Sequence, residues 1–122
     1  MSHDQILSDI VAALKGELGA GYSSIKTFTE SQGKLLAKQA EDIAKSRISG
    51  SLKDDDELYQ FFLEGLEQNT KNFARAIVML SALTIEKAWN AVANVLWGAI
   101  RTALSGAGVP GGLLPETPPF HV

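Results

Sequence analysis

Histidine, serine and the acidic residues are the side chains of this sequence that could do chemistry, so their spacing comes first. The two histidines, His3 and His121, stand near opposite ends of the 122-residue chain. Neither has a carboxylate or a second histidine at ligand spacing, such as the Glu-x-x-His pairs of di-iron bundles. We therefore expect both imidazoles to be solvated, with no metal and no cofactor bound.

The Ser-x-x-Lys spacing of Ser31 and Lys34 is a pattern that could support nucleophilic chemistry. In penicillin-binding enzymes such a pair is accompanied by further motifs, and none of them occurs here. The pair also lies within a predicted helix, among polar residues. The sequence therefore predicts no catalytic residue, and we expect that the protein is not an enzyme.

The acidic run from Asp54 to Glu57 is the one cluster that could attract a cation. It lacks the spaced ligands, the glycine and the distal glutamate of an EF-hand loop. Acidic residues in the first turn of a helix complement the helix dipole, so the run is better explained as a helix start. The glycines at 106, 108, 111 and 112 follow a predicted helix and cannot cradle phosphate at a helix N-terminus.

Charge and composition narrow the class of protein. The net charge of −3 and the pI of about 5.3 make nucleic acid an improbable partner. The one positive stretch is interrupted by Glu41 and Asp42 and is best explained as a solvated helix face; it comprises Lys34, Lys38, Lys45, Arg47 and Lys53. The absence of cysteine excludes a disulfide scaffold and a thiolate zinc site. The polar N-terminus is no secretory signal, so we expect synthesis in the cytoplasm.

The N-terminal half predicts two helices of different character. Over about 4–19, apolar residues recur at spacings of three and four and mark one helix face: Ile6, Leu7, Ile10, Val11, Leu14 and Leu18. The second helix, over about 24–49, has a narrow apolar stripe like that of a coiled-coil strand. Gly33 in its middle is expected to destabilise the helix by about 1 kcal/mol relative to alanine.

The C-terminal half predicts two more helices, over about 54–81 and 84–105. Residues 73–100 carry only three charges, Arg75, Glu86 and Lys87. A helix that is apolar on most faces is buried in protein or in a membrane. A single helix over 54–105 is the alternative, but it would be roughly 75–80 Å long. We favour a break near 81–84. The apolar face predicted for the third helix comprises Leu58, Phe61, Phe62, Leu66, Phe73, Ile77 and Leu80.

The C-terminal segment over 109–122 holds all four prolines of the chain and follows a single helical domain over 1–108. We expect this tail to be extended or polyproline-like. Its apolar residues Leu113, Leu114 and Phe120 are predicted to anchor it on a neighbouring surface.

These patterns predict an all-α fold, either a helical bundle or an elongated helical hairpin of three to four helices with a Pro/Gly-rich extended tail. The apolar surface of the second half exceeds what two thin helices can cover, so we expect a homo-oligomer or a subunit of a larger assembly. Its predicted interface residues are Phe73, Ile77, Leu80, Trp89, Val92, Leu96, Trp97 and Ile100.

The function predicted from these features is that of a non-catalytic structural or interaction protein with protein partners and no small-molecule substrate. In composition the chain is similar to small helical virion components of tailed bacteriophages, including internal proteins ejected with the genome. This resemblance implies assembly into a virion. The alternative is a membrane-active or pore-lining helical protein that uses residues of about 73–105.

Overall fold

Four helices pack together as a bundle in the computed structural model, which describes residues 2–109 and 117–120. They are α1 (His3–Leu18), α2 (Lys26–Ser49), α3 (Asp56–Leu80) and α4 (Ile85–Gly106), and a short 3₁₀ helix over Gly19–Ser24 joins α1 to α2. The described residues contain no strand. The predicted all-α class is thus confirmed, and the helix ends differ from those predicted by two residues at most, at the starts of α2 and α3.

The break between α3 and α4 is produced by two hydroxyl side chains. The Ser81 hydroxyl donates to the carbonyl oxygen of Ile77 at 2.7 Å and accepts from the Leu83 N–H at 3.2 Å. Thr84 then caps α4, since its hydroxyl accepts from the Lys87 N–H at 3.3 Å. Such side chains satisfy backbone groups that a helix end leaves without a partner. The alternative of one continuous helix over 54–105 is therefore wrong.

Polar side chains also begin two of the other helices. The Ser2 hydroxyl accepts from the Gln5 N–H at 3.2 Å at the start of α1. Asp55, within the acidic run predicted as a helix start, accepts from the Leu58 N–H at 2.9 Å. In contrast, the residue before α2 is Ile25, which follows the 3₁₀ helix and makes no side-chain capping bond. The acidic run therefore acts at a helix start, as its position in the sequence suggests.

Helix α4 contacts the other three helices, as α2 also does. Its two tryptophans, Trp89 and Trp97, are almost fully buried, and their ring centroids are 6.2 Å apart. From α1, the fully buried residues Ile10 and Leu14 belong to the same core. The apolar face of α4 is therefore covered by helices of the same chain.

Small residues let α2 approach its neighbours closely. Gly33 is buried, and a Cβ atom added to it would lie 3.1 Å from the Cδ1 atom of Leu7 in α1. Farther along α2, the fully buried residues Ala37, Ala40 and Ala44 are equally small. The glycine that weakens α2 as an isolated helix thus provides the space in which α1 packs.

The tail returns to α4 at the residues where it is described. The Trp89 indole N–H donates to the carbonyl oxygen of Pro118 at 2.8 Å, and the Phe120 ring lies 5.8 Å from the Trp89 ring. Phe120 thus packs on α4 of its own chain, whereas the sequence pattern predicted an anchor on a neighbouring surface. The other two predicted anchors, Leu113 and Leu114, lie outside the described residues.

Candidate interaction surface

The residues predicted to contact another chain lie in the core of this one, apart from Leu80. Leu80 at the end of α3 is exposed. The other seven are at most 5% exposed: Phe73, Ile77, Trp89, Val92, Leu96, Trp97 and Ile100. The prediction that they face a second chain or lipid is therefore corrected, because these seven side chains belong to the core that the helices form within one chain. In the described part of the chain, no helix is both long enough and apolar enough to cross a membrane.

His3 is held by a carboxylate and is not the solvated side chain that its position suggested. Its backbone N–H donates to Glu41 Oε2 at 2.8 Å, and its Nδ1 atom lies 3.2 Å from Glu41 Oε1. The Lys45 ammonium lies 3.6 Å from the same oxygen. Glu41 is largely buried on α2, so this cluster fixes the start of α1 against α2. Among the described residues, no three His, Asp or Glu side chains form a group that could hold a metal ion.

The Glu41 carboxylate is expected to make the free energy of unfolding depend on pH. The His3 imidazole hydrogen bond lowers the pKa of Glu41 from its ordinary value of 4.5; burial opposes this shift, whereas the His3 N–H and Lys45 reinforce it. A carboxyl whose pKa is lower in the folded state stabilises the fold above its unfolded pKa, and this stabilisation disappears as the pH falls through the folded value. We expect Glu41→Gln to destabilise the protein above pH 4.5 and to matter progressively less below it, as measured by urea unfolding across this range.

A matched variant separates the imidazole from the backbone contact. His3→Ala keeps the Glu41 carboxylate and the backbone N–H, so it should reproduce much of the pH-dependent loss. An equal acid dependence in Glu41→Gln and in the unmodified protein would rule out this role for the carboxylate.

The Ser-x-x-Lys pair has an ordinary helical environment. Both residues lie on α2, and the Ser31 hydroxyl donates to the Phe28 carbonyl oxygen one turn earlier, at 3.2 Å. Lys34 is exposed. This hydroxyl is thus used in a local bond of the kind that serine commonly makes within helices.

The strongest candidate site is an exposed apolar surface on α2 and α3, which we call the α2–α3 face. It comprises Leu35, Phe61 and Phe62, which are 61%, 64% and 42% exposed. The two phenyl rings pack edge to face with their centroids 5.9 Å apart. A cavity of about 360 Å³ beside them is lined in part by Leu35, Phe62 and the polar residues Lys38 and Asp42. Clustered exposed apolar side chains of this kind typically mark an interaction site.

The sequence did not predict the α2–α3 face because the buried row of α3 residues, which we call the α3 seam, differs from the apolar face that the sequence pattern indicated. The sequence pattern placed Phe61 and Phe62 on the buried face of α3, together with the truly buried Leu66. Apart from Ala74, the buried residues instead recur at alternating spacings of four and three, as in a heptad repeat: Tyr59, Leu63, Leu66, Thr70, Phe73 and Ile77. Thr70 fits this seam because its hydroxyl donates to the Leu66 carbonyl oxygen at 2.7 Å. A heptad count that admitted tyrosine and threonine would have left the two phenylalanines outside.

Asn69 lies beside this seam and joins α3 to α2. Its amide nitrogen donates to Gln39 Oε1 at 3.0 Å. A polar pair between two helices fixes their relative register. The α2 and α3 residues of the α2–α3 face therefore have a defined position relative to one another along the helix axes.

A second concave surface lies between α1 and α4. This groove of about 830 Å³ is lined by polar residues near the start of α1, including Gln5 and Asp9, and by small residues of α4, including Gly98 and Ala103. A Cβ atom added to Gly98 would meet nothing within 4 Å, so the packing of this chain does not require glycine there.

Comparison of the chain with protein-family models, with curated proteins and with solved structures gives no match. Its function is therefore inferred from the residues and their contacts.

Proposed function

We propose that this protein is a non-catalytic structural or interaction protein, a subunit that assembles with protein partners through the α2–α3 face. The observation that carries the proposal is the exposure of Leu35, Phe61 and Phe62 on a chain whose other large apolar side chains mostly fill a core. A homo-oligomer or a larger assembly of helical subunits is the form that we expect.

The energetic reason is the cost of leaving such side chains in water. Burying a leucine or phenylalanine side chain stabilises by about 1.5–3 kcal/mol relative to leaving it exposed. Three adjacent side chains can therefore supply a central apolar cluster, of the sort that dominates the binding energy of protein interfaces.

The groups that could have done chemistry have structural roles, which supports a non-catalytic function. Glu41 and His3 hold α1 on α2, and the Ser31 hydroxyl bonds the backbone of its own helix. The charge-poor helices proposed earlier as a membrane contact are covered by α1 and α2, so we favour a protein partner over lipid.

Sedimentation velocity tests the proposal. We expect the full chain at micromolar concentration to sediment above its monomer mass of 13.1 kDa, and the double variant Phe61→Ser/Phe62→Ser to sediment as a monomer. Both substitutions are at exposed positions, so the far-UV circular dichroism should be unchanged. Met79→Ser is the control, since Met79 is 87% exposed outside the α2–α3 face.

The proposal fails if the unmodified chain is monomeric with a single cooperative unfolding transition and no partner protein depends on Phe61 or Phe62. The narrower hypothesis of a phage virion component rests on composition alone. Detection of this chain by mass spectrometry in purified phage particles would support it.

A further inference from the structure

We infer that the partner of the α2–α3 face is the same face of a second copy of this chain, with α2 of each copy lying on α3 of the other. This inference rests on the proposed function and names its partner. It follows from the distribution of charge around the three apolar side chains.

The α2 edge of the face is basic around its apolar residue. Leu35 is adjacent to Lys34 and one helical turn from Lys38, and both lysines are exposed. Asp42, one turn farther along, also lines the neighbouring cavity and is the acidic exception on this edge. Among the described residues, Lys34 and Lys38 form no ion pair with their own chain.

The α3 edge is acidic around its apolar residue. Phe61 lies between Glu57, one turn before it, and Glu64, one turn after it, and both glutamates are exposed. Neither glutamate forms an ion pair within the described part of the chain. An acidic edge around Phe61 thus complements a basic edge around Leu35.

The symmetry of the dimer follows from which edges can meet. Most homo-oligomers are built on two-fold axes, which bring one patch against itself. An axis in the interface perpendicular to the helices would lay α2 on α2 and bring lysines together. An axis parallel to the helices lays α2 on α3. Lys38 and Phe62 line one cavity, which extends along α2 from Leu35 to Ser46, so this arrangement brings Lys38 of one copy into the region of Glu64 of the other.

Gly65 gives room for this contact. It is exposed in the middle of α3, next to Glu64, and an added Cβ atom would meet only the Gln39 amide nitrogen at 3.9 Å. The packing of the single chain therefore does not need a glycine there, although glycine weakens a helix interior relative to alanine. Small residues at helix surfaces let a second helix approach closely.

Charge reversal with rescue tests the inference on the full chain. Lys38→Glu alone and Glu64→Lys alone should each weaken self-association about tenfold or more, because every dimer then holds two like-charged pairs. The double variant Lys38→Glu/Glu64→Lys restores opposite charges and should recover most of the association. The dissociation constant is measured by sedimentation velocity at low salt, and the fold is checked by circular dichroism.

Matched controls reverse charges away from the face. Glu17→Lys and Lys26→Glu lie in the last turn of α1 and the first turn of α2, where the new charges suit the helix dipoles. We expect neither control to change association.

Two results would overturn the inference and are distinguishable from each other. An oligomer that loses association in Phe61→Ser/Phe62→Ser but shows no rescue in the charge-reversed double variant would overturn the two-fold arrangement and leave the proposed function intact. A chain that is monomeric at every concentration would overturn the second copy as partner, and the proposed function would then require a different protein on the same face.

Discussion

Replacing Trp97 by alanine is expected to lower the free energy of unfolding by about 3–5 kcal/mol. The side chain is 1% exposed on α4, and its ring lies beside that of Trp89 in the centre of the bundle. Truncation removes most of this apolar contact and leaves a cavity between closely packed helices. Because small domains are stable by only about 5–15 kcal/mol, this loss is a large part of the total. Guanidinium unfolding followed by far-UV circular dichroism measures it.

The free energies of unfolding with and without Trp97→Ala are best compared in the Phe61→Ser/Phe62→Ser background, so that self-association does not add to the apparent stability. Trp97→Phe is the milder variant, since it keeps an aromatic ring and removes an indole N–H that has no hydrogen-bond partner among the described residues. We expect it to cost clearly less than Trp97→Ala. If Trp97→Ala reduced the association of the otherwise unmodified chain and left the stability of the Phe61→Ser/Phe62→Ser background unchanged, Trp97 would be an interface residue and not a core residue.

The second large effect is expected at Arg47, which holds the turn between α2 and α3. One guanidinium nitrogen donates to the Leu52 carbonyl oxygen at 2.8 Å, and another donates to Asp56 Oδ1 at 2.9 Å. The guanidinium also lies 4.4 Å from the centre of the Tyr59 ring. Arg47→Ala should therefore destabilise the fold by about 2–3 kcal/mol, combining a charge-assisted hydrogen bond with a cation–π contact. Urea unfolding measures this loss.

Lysine is not an adequate replacement at this position. Arg47→Lys keeps the charge but cannot donate two bonds in a planar fork, so it should recover only a minor part of the stability. Lys45→Ala is the control, because Lys45 is largely exposed and, among the described residues, its one ion pair is with Glu41 at 3.6 Å. A surface pair of this kind contributes about 1 kcal/mol or less. Equal losses in Arg47→Ala and Lys45→Ala would show that Arg47 does not hold the turn.

The helices were predictable because their ends are specified locally. Ser81 and Thr84 offer hydroxyls at the break between α3 and α4, and the acidic run from Asp54 to Glu57 stands at the start of α3. Such caps act over three or four residues, which a sequence pattern captures. The apolar periodicity of α1 likewise identifies its buried residues Ile6, Ile10 and Leu14.

The partners of the helices were not predictable in the same way. Periodicity shows that the residues of α4 need burial, but it does not show which surface buries them. The sequence predicts a second chain because the apolar surface of the second half exceeds what two thin helices can cover; small residues such as Gly33 and Ala40 let the helices pack more closely than that prediction assumes. The contact of His3 with Glu41, 38 residues apart, has no local signal either.

The α2–α3 face was not predicted because apolar periodicity alone does not show which residues are buried. Phe61 and Phe62 are as apolar as the core residues, and only the register of the α3 seam decides that they face outward. The charges around them, by contrast, were visible in the sequence. Lys34 and Lys38 beside Leu35 were interpreted as part of a solvated helix face and Glu57 as part of a helix start, because their position relative to the two phenylalanines depends on how α2 and α3 pack.

The position of α4 also bears on how the chain folds. Because α4 contacts all three other helices, none of them can complete its apolar contacts while α4 is undocked. The contacts between α1 and α4 join distant parts of the chain, and closing so long a loop costs entropy before those contacts form. Local helix pairs therefore have little stability of their own, and the bundle should gain and lose its structure in one cooperative transition.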